Sequence, residues 1–128
     1  MNANLEELSE RVRAALEAGD LDAYQDLLDP DVHWGPADEP EWGCRNRRQV
    51  LTWYKAARDK GTTATVTEVL LGTDCILVGL SVSRPPAADE LDAAAPRWQV
   101  LAVKDGRIVD IAGFDDRSQA AARAGIAN

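Results

Sequence analysis

The chain has 128 residues, 45% hydrophobic and 28% charged, the composition of one globular domain long enough to bury roughly 65–70% of its unfolded surface. A formal net charge of −8 argues against a nucleic-acid partner, because binding phosphate needs a basic footprint. Cys44 and Cys75 make neither a disulfide framework nor a zinc spacing, and one histidine with scattered carboxylates supplies no set of three or four ligands, so neither metal nor cofactor is expected.

No apolar run approaches the ~20 residues needed to cross a bilayer, and the first residues (MNANLEELSE) have neither the basic nor the apolar part of a signal peptide. The expectation is a single cytoplasmic domain over residues 1–128 with no membrane partner.

Asn4 with Glu7 reads as a capping pair for a first helix that carries Leu5, Leu8, Val12 and Leu16 on one face and ends at Gly19. Asp20 caps a second, short helix with Leu21, Tyr24, Leu27 and Leu28 on one side, and Pro30 stops it. Asp31–Trp34 reads as a brief strand. GPADEPEWGC (35–44) is a turn-rich loop long enough to cover a pocket mouth. Asn46, with Gln49 three residues on, opens a third helix; Val50, Trp53, Tyr54 and Ala57 point one way and Gly61 ends it.

From Thr62 the period changes to two. Residues 62–72 and 74–84 alternate and are β-branched, which predicts two strands joined around Gly72 to Asp74. Residues 85–96 (PPAADELDAAAP) read as an acidic surface loop. Residues 97–104 and 107–114 form a hairpin across Asp105-Gly106, the strongest short turn signal in the chain. Asp115 or Asp116 can cap a last helix ending before Gly125.

Helices first and antiparallel strands afterwards define an α+β layout. Simple alternation puts Trp98, Val100 and Ala102 opposite Ile108, Ala112 and Phe114 on one sheet face. That face is too apolar for water, which suggests either a homodimer through the outer sheet face or coverage by the chain's own helices. Arg45, Arg47 and Arg48 crowd the start of the third helix; they could hold an acidic group, be solvated, or pair with Asp38, Glu39 and Glu41.

Three phrases in order, AGDLDAYQDLLDPDVHW (18–34), NRRQVLTWYKAA (46–57) and KDGRIVDIAGFDD (104–116), resemble the SnoaL-like branch of the nuclear transport factor 2-like superfamily. The resemblance covers nearly the whole chain and implies a cone-shaped α+β barrel: a curved, mostly antiparallel sheet wrapped around N-terminal helices with an internal pocket. Ketosteroid isomerases and limonene-type epoxide hydrolases share this fold, so the resemblance does not by itself give a reaction. The isomerase-like members carry a catalytic tyrosine where this chain has Val12, a general-base aspartate where it has Gly35, and a second acidic donor where it has Gln99. The epoxide hydrolases need an aspartate where this chain has Gly113, and an Arg-x-Asp that no predicted strand contains. Both reactions are therefore disfavoured.

By the same resemblance His33, Tyr54, Gln99, Leu101, Ile111, Gly113 and, near the rim, Asp115 face the pocket. His33 is the one imidazole and the candidate general acid or base, with Tyr54 and Gln99 as donors polarising a substrate carbonyl. Trp42, Leu101, Ile111 and Asp115 would contact the ligand. Strand alternation offers a competing reading, since Val32 and Trp34 share one face and His33 takes the other. Tyr54 is equally well read as a core residue, and Trp53 and Trp98 as core or interface. Cys44 beside Arg45 lacks a histidine to activate it, and Glu68 and Asp110 fit solvated positions better than inward ones. Two functions follow: a cofactor-independent cyclase, isomerase or dehydratase acting on a small apolar carbonyl or hydroxyl compound, or a non-catalytic ligand-binding or dimerisation module.

Overall fold

The computed structural model describes residues 3–36, 45–59, 61, 63–83 and 95–126. Helix α1 (Ala3–Ala18) and the short α2 (Leu21–Gln25) precede strand β1 (Leu28–Pro36). Helix α3 (Arg47–Asp59) follows, then β2 (Thr63–Leu71), β3 (Cys75–Ser83), β4 (Ala95–Lys104), β5 (Arg107–Phe114) and helix α4 (Arg117–Ala124). The strands make one open sheet in the order β1-β5-β4-β3-β2. All pairs are antiparallel except β1 with β5, so the layout is α+β with a mixed sheet.

Local chemistry sets most boundaries. Gly19, at φ +66, turns the chain out of α1, with Asp20 N–H donating back to the Ala15 carbonyl. Asp20 caps α2 by accepting from Ala23 N–H at 3.1 Å. Helix α1 already starts at Ala3, so Asn4 lies inside its first turn rather than capping it. At α3 the expected Asn46–Gln49 pair forms: Asn46 Oδ1 accepts from Gln49 N–H at 2.9 Å, and Gln49 Oε1 accepts from Arg45 N–H at 2.7 Å. Asp105 and Gly106 both take positive φ, +54 and +79, as a two-residue hairpin turn requires. Asp116 caps α4 by accepting from Ser118 and Gln119 N–H.

Two boundaries differ from the sequence reading. Pro30 does not end a helix; it lies inside β1, which begins at Leu28. β1 is an edge strand whose pairing register shifts between Leu28 and His33, and a proline that cannot donate to a ladder is tolerated there. Pro96 belongs to β4, opposite Ser81, rather than to the loop before it.

The inner sheet face and helices α1 to α3 enclose the main core. Leu8 and Val12 of α1, Tyr24, Leu28, Val32, Val50, Ile76, Val78, Leu101, Ile108 and Ile111 meet there. The outer face has its own small cluster. Ala120, Ala121 and Ala124 of α4 pack on Cys75, Leu77 and Val100, with Trp98 and Phe114 half-buried at the margin. The apolar outer face is thus covered at its centre by the chain's own last helix. Ile108 is not on it, because a register shift between Ala102 and Val103 turns Ile108 into the inner core.

Candidate functional site

Helical and strand periodicity bring four side chains together on the inner face. In α3, Val50 and Tyr54 are four residues apart and share the inward stripe, while Trp53 falls at its border and stays 50% exposed. In β1, Val32 and Trp34 point inward together. Trp34 stacks on Tyr54 with ring centroids 4.9 Å apart and planes 4° from parallel. Trp53 meets Trp34 edge-on at 4.7 Å, and Tyr24 of α2 meets Tyr54 edge-on at 5.6 Å.

Within this aromatic group lie three polar side chains. Gln99 Nε2 donates to the Tyr54 hydroxyl at 3.4 Å. Gln99 is 7% exposed and Tyr24 1%, yet among the described residues Gln99 Oε1 and the Tyr24 hydroxyl have no hydrogen-bond partner of acceptable geometry, although the Tyr54 hydroxyl lies close enough to Tyr24 to act on its titration. An unpartnered buried polar atom costs about 1–3 kcal/mol, so two of them around one half-buried tyrosine mark a costly polar arrangement in the inner core. Burial, followed by the neighbouring Tyr54 hydroxyl, pushes the Tyr24 phenol well above its ordinary value. It is therefore a neutral phenol across the physiological range.

The sequence-predicted site residues separate into three groups. Tyr54 and Gln99 do come together. Leu101 and Ile111 lie on the same face but are wholly buried members of the packed core, not exposed walls of a cavity. His33 and Asp115 go elsewhere. His33 sits opposite Asp110 in the β1–β5 register and turns away from Val32 and Trp34 to the outer face, where Nδ1 lies 3.0 Å from Asp110 Oδ1. Its side chain is 32% exposed. The inward His33 expected for acid–base work is thus corrected by strand alternation itself: once Trp34 is inside, His33 is outside. Asp115 is 87% exposed and faces Arg97 at 3.6 Å. Gly113 contributes no side chain. Trp42 and Cys44, like Asp38, Glu39 and Glu41, lie outside the described residues.

Two features were missed in the sequence. Tyr24 had the spacing of a core residue, and nothing in that spacing marks its hydroxyl as unpartnered. Glu68 is neither inward nor simply solvated: Arg117 of α4 grips it with two hydrogen bonds, of 2.9 and 3.0 Å, and Trp98 Nε1 donates to it at 3.4 Å. These bonds, Arg117's foremost, hold the Glu68 carboxyl below its ordinary value and raise the Arg117 guanidinium. Gly79 makes the reach possible. It pairs with both Glu68 and Trp98, and a Cβ there would stand 2.9 Å from Glu68 Cγ and 2.7 Å from Thr67 Oγ1.

A cleft of about 360 Å³ opens between α2 and α3, lined by Gln25, Arg47, Arg48, Leu51, Thr52 and Lys55. Among the described residues no group of three or more His, Cys, Asp or Glu side chains is placed to hold a metal. No described helix is long and apolar enough to cross a membrane.

An open mixed sheet wrapped on three N-terminal helices, with polar side chains set into its inner face, is the architecture of the nuclear transport factor 2-like proteins. The chain belongs to the SnoaL-like domain family, whose pattern it matches over residues 9–111. Solved structures agree on the fold. A proposed ketosteroid isomerase from Kribbella flavida superposes with a TM-score of 0.71 at 17% identity, covering 87% of this chain and 76% of that one. A proposed polyketide cyclase from Sinorhizobium meliloti gives 0.65 at 20% identity, covering 87% and 98%. A cystatin-fold protein from Novosphingobium aromaticivorans gives 0.71 at 17% identity, covering 87% and 97%. A search of the curated proteins finds no match.

Proposed function

We propose that this chain is a small-molecule pocket protein whose inner site, around Tyr54, takes a flat and largely apolar compound bearing a carbonyl or hydroxyl group. The observation that carries this reading is a pair of buried polar atoms, the Tyr24 hydroxyl and Gln99 Oε1, that lack a well-aligned partner among the described residues and lie beside the partly buried Tyr54. A module that only folds gains nothing from them, whereas a ligand with one donor or acceptor offsets their cost. Trp34 and Trp53 supply aromatic faces next to Tyr54 for a flat ring. The polar atoms themselves are shielded, so the half-buried Tyr54 ring is the group a ligand displaces first.

A second reading is catalysis: cyclisation, isomerisation or dehydration of such a compound, the first two being what the names of the Sinorhizobium and Kribbella proteins say of those chains. One observation favours it. The Gln99 amide and the Tyr54 hydroxyl lie 3.4 Å apart, two polar groups that can face one developing oxyanion. His33, on the outer face beside Asp110, is not placed to be the proton acceptor of such a reaction.

Titration calorimetry with 2-naphthol and 2-acetylnaphthalene tests the pocket, and chromatographic recovery of 4-hydroxy-4-(2-naphthyl)butan-2-one, a hydroxy ketone able to lose water to an enone, tests catalysis. Saturable binding weakened at least fivefold by Gln99→Leu supports the pocket; altered compound supports catalysis. Absence of saturable binding by either probe, or binding indifferent to Gln99→Leu and Tyr54→Phe, would refute the inner site.

A further inference from the structure

The cleft between α2 and α3 is separate from the inner site and has a different chemistry. Five of its six lining residues come from two turns of α3, where the i, i+4 rule aligns Arg47 with Leu51, Leu51 with Lys55 and Arg48 with Thr52; Gln25 closes it from the end of α2. Leu51 forms the floor, because its other side packs against the main core. Three cations therefore share the lining with an apolar base, and no carboxylate joins them among the described residues.

Among the described residues these cations meet no carboxylate partner. Arg11, Arg13, Arg97 and Arg117 each pair with a carboxylate, but Arg47, Arg48 and Lys55 take part in no ion pair among the described residues. The Thr52 hydroxyl spends its proton on the Arg48 carbonyl at 2.8 Å. The donors left to face the cleft are thus two guanidinium forks, one ammonium and the Gln25 amide. Guanidinium forks match phosphate oxygens two at a time, and an ammonium adds a point charge without further geometric demand. A volume of about 360 Å³ accommodates a phosphorylated small molecule rather than a single ion.

We propose that this cleft is a binding site for a phosphate-bearing small molecule, held by Arg47, Arg48 and Lys55. The site does not depend on the inner pocket, and the two readings can fail separately. Inorganic pyrophosphate is the probe, with citrate as a non-phosphate polyanion, titrated by calorimetry against the full chain at 20 mM and 300 mM sodium chloride. Pyrophosphate binds with one-to-one stoichiometry and weakens severalfold at high salt, as partly exposed charge pairs require. Arg47→Gln with Arg48→Gln lowers the affinity at least tenfold, Lys55→Gln lowers it about threefold, and all leave the unfolding temperature within a degree or two of the parent. Arg107→Gln, an exposed cation on the β4–β5 turn, and Tyr54→Phe leave pyrophosphate affinity unchanged. Three results would overturn the proposal: no binding at 20 mM salt, citrate binding as tightly as pyrophosphate, or Arg107→Gln costing as much as the double variant.

Discussion

Replacing Tyr24 by phenylalanine removes one oxygen and keeps the ring. The edge-to-face contact with Tyr54 and the packing of the main core survive the change. What disappears is a wholly buried hydroxyl with no well-aligned hydrogen-bond partner among the described residues, and leaving such a group unpaired costs about 1–3 kcal/mol. The variant is therefore more stable, by about 1–2 kcal/mol once small relaxations are allowed for, or roughly 3–8 °C in unfolding temperature for a domain of this size. The phenol adds a pH signature. Its folded-state pKa is raised, so its contribution is intact below the unfolded value near 10 and is lost as pH rises beyond it, when the unfolded chain releases the proton first. Urea unfolding followed by circular dichroism at pH 7 and pH 10.5 reads both effects: the variant gains at pH 7, and its advantage widens at pH 10.5. A Tyr24→Phe protein less stable than the parent at pH 7 by 1 kcal/mol or more would refute the reasoning. It would mean that the hydroxyl is well bonded, and it would remove the observation on which the inner-site proposal stands.

The other expectations are simpler. Gln99→Leu trades one long hydrogen bond for the loss of an unpartnered oxygen, so its stability stays within about 1 kcal/mol of the parent in the same assay while probe binding falls. Gly72→Ala drives a Cβ to 2.3 Å from the Ala124 carbonyl and 2.7 Å from Cys75 Sγ; α4 must shift, and calorimetry should show a loss of about 1–3 kcal/mol. Because the Glu68 carboxyl is held below its ordinary value, its pairing with Arg117 stabilises the fold above the unfolded pKa near 4.3 and fades as pH falls through that value and the lower folded one. Unfolding temperatures from pH 7 to pH 3 should therefore fall less steeply in Glu68→Gln than in the parent. His33→Ala, on the outer face, leaves affinity for the naphthyl probes within twofold; a tenfold loss would place the imidazole in the site after all.

How far the sequence reaches can be judged at particular residues. Leu5, Leu8, Val12 and Leu16, the Asp105-Gly106 turn, the caps at Asp20, Asn46 and Asp116, and the stop at Gly125 are local signals, and each fixes a local piece of structure. The inward set was legible only where periodicity was continuous, as for Tyr54 in α3 and Gln99 in β4. It failed at His33 because the resemblance and the alternation of Val32, His33 and Trp34 disagree, and burial of the larger apolar rings decides the face. It failed at Ile108 because a register shift reverses the face of every residue beyond it, and no single-residue signal announces that shift. Cover of the outer face by α4 was one of two readings open in advance; three small alanines make the close approach, and alanine is also simply a good helix former. The bonds of Glu68 and His33 to distant partners depend on which strands are neighbours, information that lies outside any window of sequence.

The parallel ladder between β1 and β5 has a consequence for assembly. Strands β2 to β5 can join one after another as hairpins, each to its predecessor, but the first strand made has no neighbour until the last is finished. During synthesis, the backbone edge of β1 must wait unpaired while β2 to β5 are still to emerge from the ribosome. Closure of such distant ends belongs to the slow, millisecond-to-second class of folding events, and the unoccupied rim of β5 is meanwhile open to any extended segment of another nascent chain. Yield in a cell should therefore depend less on final stability than on how promptly that rim is filled.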